Sequence, residues 1–280
     1  QFPPHLCLPR PVYAPQRPHL LQYLLEMARY WIGTSGWHYA HWLGIFYPED
    51  LPPSRWLQHY VGYFPTVELN NPFYRQPRPQ AWDLWRNNAP PGFLFAVKAH
   101  RFITHIRRLR EVEEPLQRFL DGAMRLGDRL GPILYQLPPS FRRPPENQER
   151  LHRFLALLPP PLRHAVEFRH SSWMCEETLA ILRSHGVAFC CFDSPGLKTP
   201  LVATAPFAYM RFHGAEALYA SNYPDAALEE WARRLLALGQ GLTDVFIYFN
   251  NDAYGYAVTN ARTLAEMLAA MDAQVAAPRR

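Results

Sequence analysis

Nine side chains with acid, base or anion-binding chemistry stand at the ends of short apolar runs in this chain. They are Glu68, Lys98, Glu167, Arg169, Asp193, Arg211, His213, Asn250 and Asp252. Carboxylates and an imidazole whose pKa values are driven apart by burial and cationic neighbours can serve as general acid and base. Arginine holds phosphate or carboxylate through paired hydrogen bonds. Lysine can shed its proton when desolvated, and so act as a base or Schiff-base nucleophile. Of 29 basic residues only Lys98 and Lys198 are lysines, which draws attention to Lys98. Glu68, Glu167, Asp193, His213 and Asp252 are also candidate ligands for Mn²⁺, Mg²⁺ or Zn²⁺. Against a metal, the chain has no HxH or HExxH cluster, and four nearby cations compete for the carboxylates. The sequence requires no cofactor, and a divalent metal is the main variant.

The elements that must position these groups are eight apolar runs: WIGTS (31–35), TVELN (66–70), FLFAVKAH (93–100), PILYQLP (132–138), HAVEFRH (164–170), VAFCCFDS (187–194), AYMRFHG (208–214) and VFIYFNND (245–252). Near-continuous apolar runs mark buried parallel strands, and amphipathic helical stretches alternate with them. The expected fold is therefore an α/β TIM (β/α)8 barrel, whose chemistry sits at the carboxyl ends of its strands. Ser54 is expected to cap a helix with Trp56, Leu57, Tyr60, Val61 and Phe64 on one face. Leu116, Phe119, Leu120, Ala123 and Met124 repeat that pattern after strand three. Pro195–Pro206 has no helical period, so an irregular crossover is expected between strands six and seven. Along a strand, Glu68 shares a face with Asn70, Lys98 with His100, Glu167 with Arg169, and Arg211 with His213. Charge facing the helix layer would be buried without water at a cost of several kcal/mol; the lumen mouth is the cheaper place.

Each residue has a plainer alternative. Glu167 and Arg169 could be a structural ion pair, Asp193 before Ser-Pro-Gly a turn residue, His213 a satisfied core histidine, and Asn250-Asn251-Asp252 a turn. Their coincidence at one end of eight strands favours a site.

Composition fits one domain over 27–272, with an N-terminal extension (1–26) and a C-terminal tail (273–280). The proline-rich head lacks periodicity, and Met27 reads as a natural start. The formal charge is +5; Arg10, Arg17 and Glu26 account for +1 and Arg279 and Arg280 for +2, leaving 27–278 near +2. That is not the footprint of a general nucleic-acid binder. A basic stretch from His100 to Arg110 is either a solvated turn or an anion-binding lip. No apolar run approaches the ~20 residues of a membrane span. Four cysteines without paired spacing indicate neither a disulfide framework nor zinc, and a reducing cytoplasm is expected.

TSGW (34–37), FYP (46–48), ELNNPFY (68–74), FAVKAHRFITH (95–105), YQLPP (135–139), EFRHSSW (167–173), FDSPG (192–196), RFHG (211–214) and YFNNDAYGYAVTNA (248–261) together resemble the domain-of-unknown-function 72 family, the YecE-like proteins. The resemblance covers Ile32 to Leu268 and implies a TIM barrel without naming a reaction. It implies a pocket that adds Trp37, Asn70, Phe73, Tyr74, Arg101, Thr104, His105, Gln136, His170, Trp173, Tyr219 and Asn251 to the strand-end set. The favoured reading is an enzyme acting on a small anionic or polyhydroxylated substrate. In it Glu68, Lys98, Glu167, Asp193 and His213 are catalytic, the remaining residues other than Thr104 bind substrate, and Trp37, Phe73, Tyr74 and Trp173 form apolar walls. The alternatives are a metal-dependent hydrolase or isomerase, a nucleic-acid enzyme (not favoured), and a non-catalytic ligand-binding barrel. Oligomeric state is not legible.

Overall fold

The computed structural model describes residues 27–271 and 273–278. The expected N-terminal extension lies outside them. The eight runs become strands: β1 Arg29–Thr34, β2 Thr66–Leu69, β3 Leu94–Lys98, β4 Leu130–Gln136, β5 His164–Glu167, β6 Ala188–Asp193, β7 Phe207–Phe212 and β8 Asp244–Phe249. A ninth, β9 (Gln274–Val275), pairs with β1 in what the sequence presented as a tail. All pairings between strands are parallel, in the order β2-β3-β4-β5-β6-β7-β8-β1-β9. The fold is an α/β sheet of nine strands, curled so that β2 and β7 face each other across a shared interior.

Regular ladders join every neighbour in that order, but between β1 and β2 the pairing thins to one bridge, Ser35 with Glu68. The Gly36 N–H donates to the Glu68 carbonyl at 2.9 Å beside it. Gly33 is what lets the strands approach: a Cβ there would lie 2.2 Å from the Thr66 carbonyl oxygen. The sheet is thus a curled half-barrel with one bridge across its seam, where the sequence led one to expect a closed eight-stranded barrel.

Two apolar layers flank the sheet. The larger lies between strands and helices; the helix Glu113–Met124 buries Leu116, Phe119, Leu120 and Ala123 on one stripe, and two glutamates complement its amino-terminal dipole. Met124 is exposed, at the edge of the stripe. The smaller fills the interior below the site with Trp31, Leu94, Ala96, Leu134, Ala165, Cys190, Tyr209 and Tyr248 among others. The helix at Trp56–Tyr60 is short, and Ser54 lies in a 3₁₀ turn (Pro53–Arg55) instead of capping it. Pro52 and Pro53 set that turn; Val61 and Phe64 are buried just past the helix end.

No helix is described between β6 and β7, as the missing periodicity led one to expect. Threonine hydroxyls do the work of a ladder there. Thr199 Oγ1 bonds both the N–H and C=O of Phe192 at 2.9 Å, and Thr204 Oγ1 bonds Phe189 N–H at 2.7 Å and Val187 C=O at 2.6 Å. Backbone groups that would otherwise be buried without partners are satisfied this way.

Candidate active site

Period-two alternation fixes which strand-end side chains enter the interior. Thr66 and Glu68, Ala96 and Lys98, Ala165 and Glu167, and Tyr209 and Arg211 share the inward face, the charged member lying towards the carboxyl end each time. The apolar layer beneath supplies a dry floor.

Arg211 is the hub, 1% exposed. Its Nη2 donates to Glu68 Oε1 at 2.8 Å and its Nη1 to Glu167 Oε2 at 2.7 Å. One guanidinium thereby ties β2 to β5 from β7. Glu68 also accepts from Tyr209 OH at 2.7 Å and from Ser35 Oγ at 2.5 Å. Ser35 in turn accepts from Asn70 Nδ2 at 2.8 Å. Glu167 Oε1 accepts from Gln136 Nε2 at 2.7 Å, and Arg169 Nη1 stands 3.2 Å from the same oxygen. Burial would raise the Glu167 carboxyl, but Arg211, Arg169 and Lys98 together outweigh it and hold the group well below the usual carboxylate range. Arg211 is pulled the other way: burial opposes its charge, and the two glutamates hold the charged form above its ordinary value. Both carboxylates are engaged by Arg211.

His213 continues the line from β7. Its Nε2 faces Arg211 Nη1 at 3.5 Å and its Nδ1 faces Asn250 Nδ2 at 3.1 Å. Burial, then the Arg211 charge, depresses its pKa well below the ordinary value, so the imidazole is neutral. Tyr219 packs edge-on to this ring, holds a positive φ of 65°, and accepts from Arg169 Nη2 at 3.3 Å.

Lys98 differs from every other cation of the group. Among the described residues its Nζ makes no hydrogen bond or ion pair; its nearest partner is the Phe73 ring, 4.0 Å from the centroid. Burial first, then Arg211, lowers its pKa from 10.5 to about 8, against the pull of Glu167 and Glu68. It borders a cavity of about 810 Å³ shared with Trp37, Tyr39, Asn70, Tyr74, Trp85, Gln136, Arg211, Tyr219, Asn250 and Asp252. His105 stacks edge-on against Phe73 from a π-helical turn (Phe102–Ile106), its pKa lowered to about 4 by burial and by Lys98 and Arg101. Thr104 Oγ1 bonds its Nδ1 at 2.9 Å. Arg101 itself is exposed and does not line the cavity.

Besides Arg101, four expected site residues fall elsewhere. Asp193 has the opposite parity to Cys190, which points inward, and its carboxylate accepts from Tyr223 OH at 2.8 Å on the helix side. His170 caps the turn Ser171–Trp173 through Ser172. Trp173 is fully buried in the outer core, stacked on Phe141 and Phe168, so it is no cavity wall. Asn251 ties Ser221 to Asn260 inside the loops. Tyr74 is 69% exposed at the rim. Sequence reasoning passed over Ser35, Tyr39 and Tyr209. Parity would have found two of them, since Ser35 shares a face with Trp31 and Tyr209 with Arg211.

A metal fares poorly on the same geometry. Among the described residues no three His, Cys, Asp or Glu side chains converge as a ligand set. Glu68 and Glu167 already spend their oxygens on Arg211, and Asp193 is turned away. Among the described residues, this set does not fit the divalent ion weighed as a variant.

Fold and site together define an α/β protein that carries a buried, charge-balanced network and one unpaired amine at the carboxyl ends of parallel strands. The family model described as "Protein of unknown function DUF72" matches residues 31–280, and the chain belongs to that family. It is 28% identical to the UPF0759 protein YunF of Bacillus subtilis over 270 residues, 85% of this chain and 94% of that one. It is also 28% identical to the UPF0759 protein YecE of Escherichia coli, over 52% of this chain and 50% of that one. A crystal structure of a DUF72 family protein from Thermotoga maritima superposes with a TM-score of 0.77 at 33% identity, covering 86% of this chain and 99% of that one. One from Enterococcus faecalis, at 21% identity and a TM-score of 0.76, shares the fold.

Proposed function

We propose that this chain is an enzyme acting on a small anionic or polyhydroxylated molecule, by general acid/base chemistry at the mouth of a closed (β/α)8 barrel. The observation that carries the reading is Lys98: a buried amine without a polar partner, bordering a cavity of about 810 Å³. Glu68 and Glu167 are matched by the Arg211 and Arg169 guanidiniums, which leaves Lys98 as a cation of the cavity wall that neither glutamate claims, in a cavity that Asp252 also lines. An anionic group entering the cavity finds that amine unspent. Gln136, Asn250, Tyr39 and Tyr219 offer hydrogen bonds around it, and Trp37, Tyr74 and Trp85 offer ring faces.

At neutral pH the amine is mostly protonated, with a fraction free to act as base, because its pKa is about 8. Neutral His213, oriented by Asn250, is the second proton carrier. Glu68, Glu167 and Arg211 act as fixed electrostatics, which is how buried networks serve preorganised sites. The Ser35–Glu68 bridge and the glycine at position 33 support barrel closure. No described helix is long and apolar enough to cross a membrane. The three described cysteines form no disulfide, which supports a reducing compartment such as the cytoplasm.

The test is thermal denaturation of the wild type and a Lys98→Met variant with inorganic phosphate, citrate and phosphorylated sugars. Saturation at about 100-fold over Kd is worth about 2.7 kcal/mol, a rise of several degrees in the wild type that the variant should lack. No shift with any anion, or equal shifts in both proteins, rejects the reading. A shift with single-stranded oligonucleotides alone would favour a nucleic-acid substrate.

A further inference from the structure

We propose that Lys98 is a Schiff-base nucleophile, and that the substrate is a small carbonyl compound carrying an anionic group. This deepens the reading above and rests on it. Three features of the geometry set the role apart from simple charge anchoring. The Nζ lies over the Phe73 ring and touches no carboxylate, although two glutamates stand in the same interior. Arg211 takes both of those glutamates, and thereby keeps them from clamping the amine as an ion pair. The approach from the cavity is open, since Lys98 is part of its wall.

A lysine desolvated near other cations loses its proton more readily than one in water, which is what a nucleophilic amine needs; the Phe73 face favours the charged form but does not outweigh them. The depressed pKa agrees with that arrangement. In the reaction the Nζ lone pair forms the C–N bond while the carbonyl π pair moves to oxygen. The two amine hydrogens pass to that oxygen, the C–O bond breaks, and water leaves a C=N double bond on Lys98. No oxidant or further reactant is needed. Tyr39 and Tyr219, which line the same cavity, and neutral His213 behind it are the groups placed to relay those protons.

The chain's two lysines make the test internal. The full-length protein is incubated with glyoxylate and cyanoborohydride, which converts any imine into a stable carboxymethyl-lysine that peptide mass mapping assigns to Lys98 or to exposed Lys198. At pH 8 about half of Lys98 is neutral but well under a hundredth of an ordinary lysine, so labelling of Lys98 should be about tenfold faster or more. Urea-denatured protein should lose that preference. Equal labelling of the two lysines in the folded protein, or none at Lys98, overturns the proposal. The same samples are titrated with inorganic phosphate, which has no carbonyl. Phosphate that stabilises the wild type while Lys98 stays unlabelled leaves the anion-site reading standing and removes the Schiff base; no response to either probe removes both.

Discussion

Arg211 donates to Glu167 at 2.7 Å with both side chains almost wholly buried. The same guanidinium holds Glu68 at 2.8 Å. Three charges from β2, β5 and β7 therefore stand or fall together. Such a cluster adds little over an apolar core, but breaking it leaves buried charge uncompensated.

Arg211→Met should strip two buried carboxylates of their partner at a cost of about 3–5 kcal/mol. For a chain of this size that is a fall of about 10 °C in Tm. Calorimetry checks it; a change of only a degree or two would mean that water or Arg169 replaces the lost guanidinium.

Glu167 makes its own mark on acid stability. Its folded pKa is depressed, so its contribution is fully present above the ordinary value of 4.5 and drains away as pH falls towards the folded value. The stability gap between wild type and Glu167→Gln should be widest at pH 6–7 and should narrow between about pH 4 and pH 2. Urea unfolding across that range measures the gap; a constant difference would place the Glu167 charge outside the network.

Lys98 has the opposite sign. Its pKa falls from 10.5 to about 8 on folding, so the charged amine opposes the folded state below pH 8, and the penalty disappears as pH rises past 10.5. Lys98→Met should be more stable than the wild type at pH 7, by up to about 3 kcal/mol, while losing anion binding. Residues that trade stability for function behave in this way. A variant less stable than the wild type at pH 7 would show that the amine has found a partner.

Gly33→Ala tests the seam. The added Cβ would meet the Thr66 backbone at 2.2 Å, and neither strand can yield without disturbing the Ser35–Glu68 bridge. A loss of about 2–3 kcal/mol is expected, with phosphate stabilisation weakened as Glu68 shifts. A near-neutral outcome in denaturant titrations would indicate that β1 and β2 stand further apart.

Asp193→Asn separates neighbours in sequence from neighbours in space. Its carboxylate bonds Tyr223, which also accepts from the Gly214 N–H at 3.1 Å. The substitution should cost about 1 kcal/mol of stability and leave phosphate affinity unchanged. A tenfold loss of affinity with stability intact would return Asp193 to the site.

All eight large strands and the helix-free crossover were legible in the residues, because buried parallel strands and amphipathic helices leave periods that local composition cannot hide. So was the group formed by Glu68, Lys98, Glu167, Arg211 and His213, since strand parity sends all of them the same way. The errors have a physical origin too. Asp193 still keeps the parity of β6, which turns it away from Cys190 and the interior, whereas Asn251, His170 and Trp173 lie two, three and six residues past their strands, where loop contacts choose the direction. Trp173 looked like a ring for a ligand, yet Phe141 and Phe168 claimed it for the outer core.

By itself the sequence determined the elements, their order and the face from which each charge projects, because those depend on periods of 2 and 3.6 residues along one segment at a time. Only the tertiary structure decided who pairs with whom. Curling the sheet brings Arg211 within reach of two glutamates 143 and 44 residues away, and that pairing leaves Lys98, unclaimed by either, with its amine facing the cavity. Charge balance in a dry interior is a property of the whole closed set, and no single strand carries it.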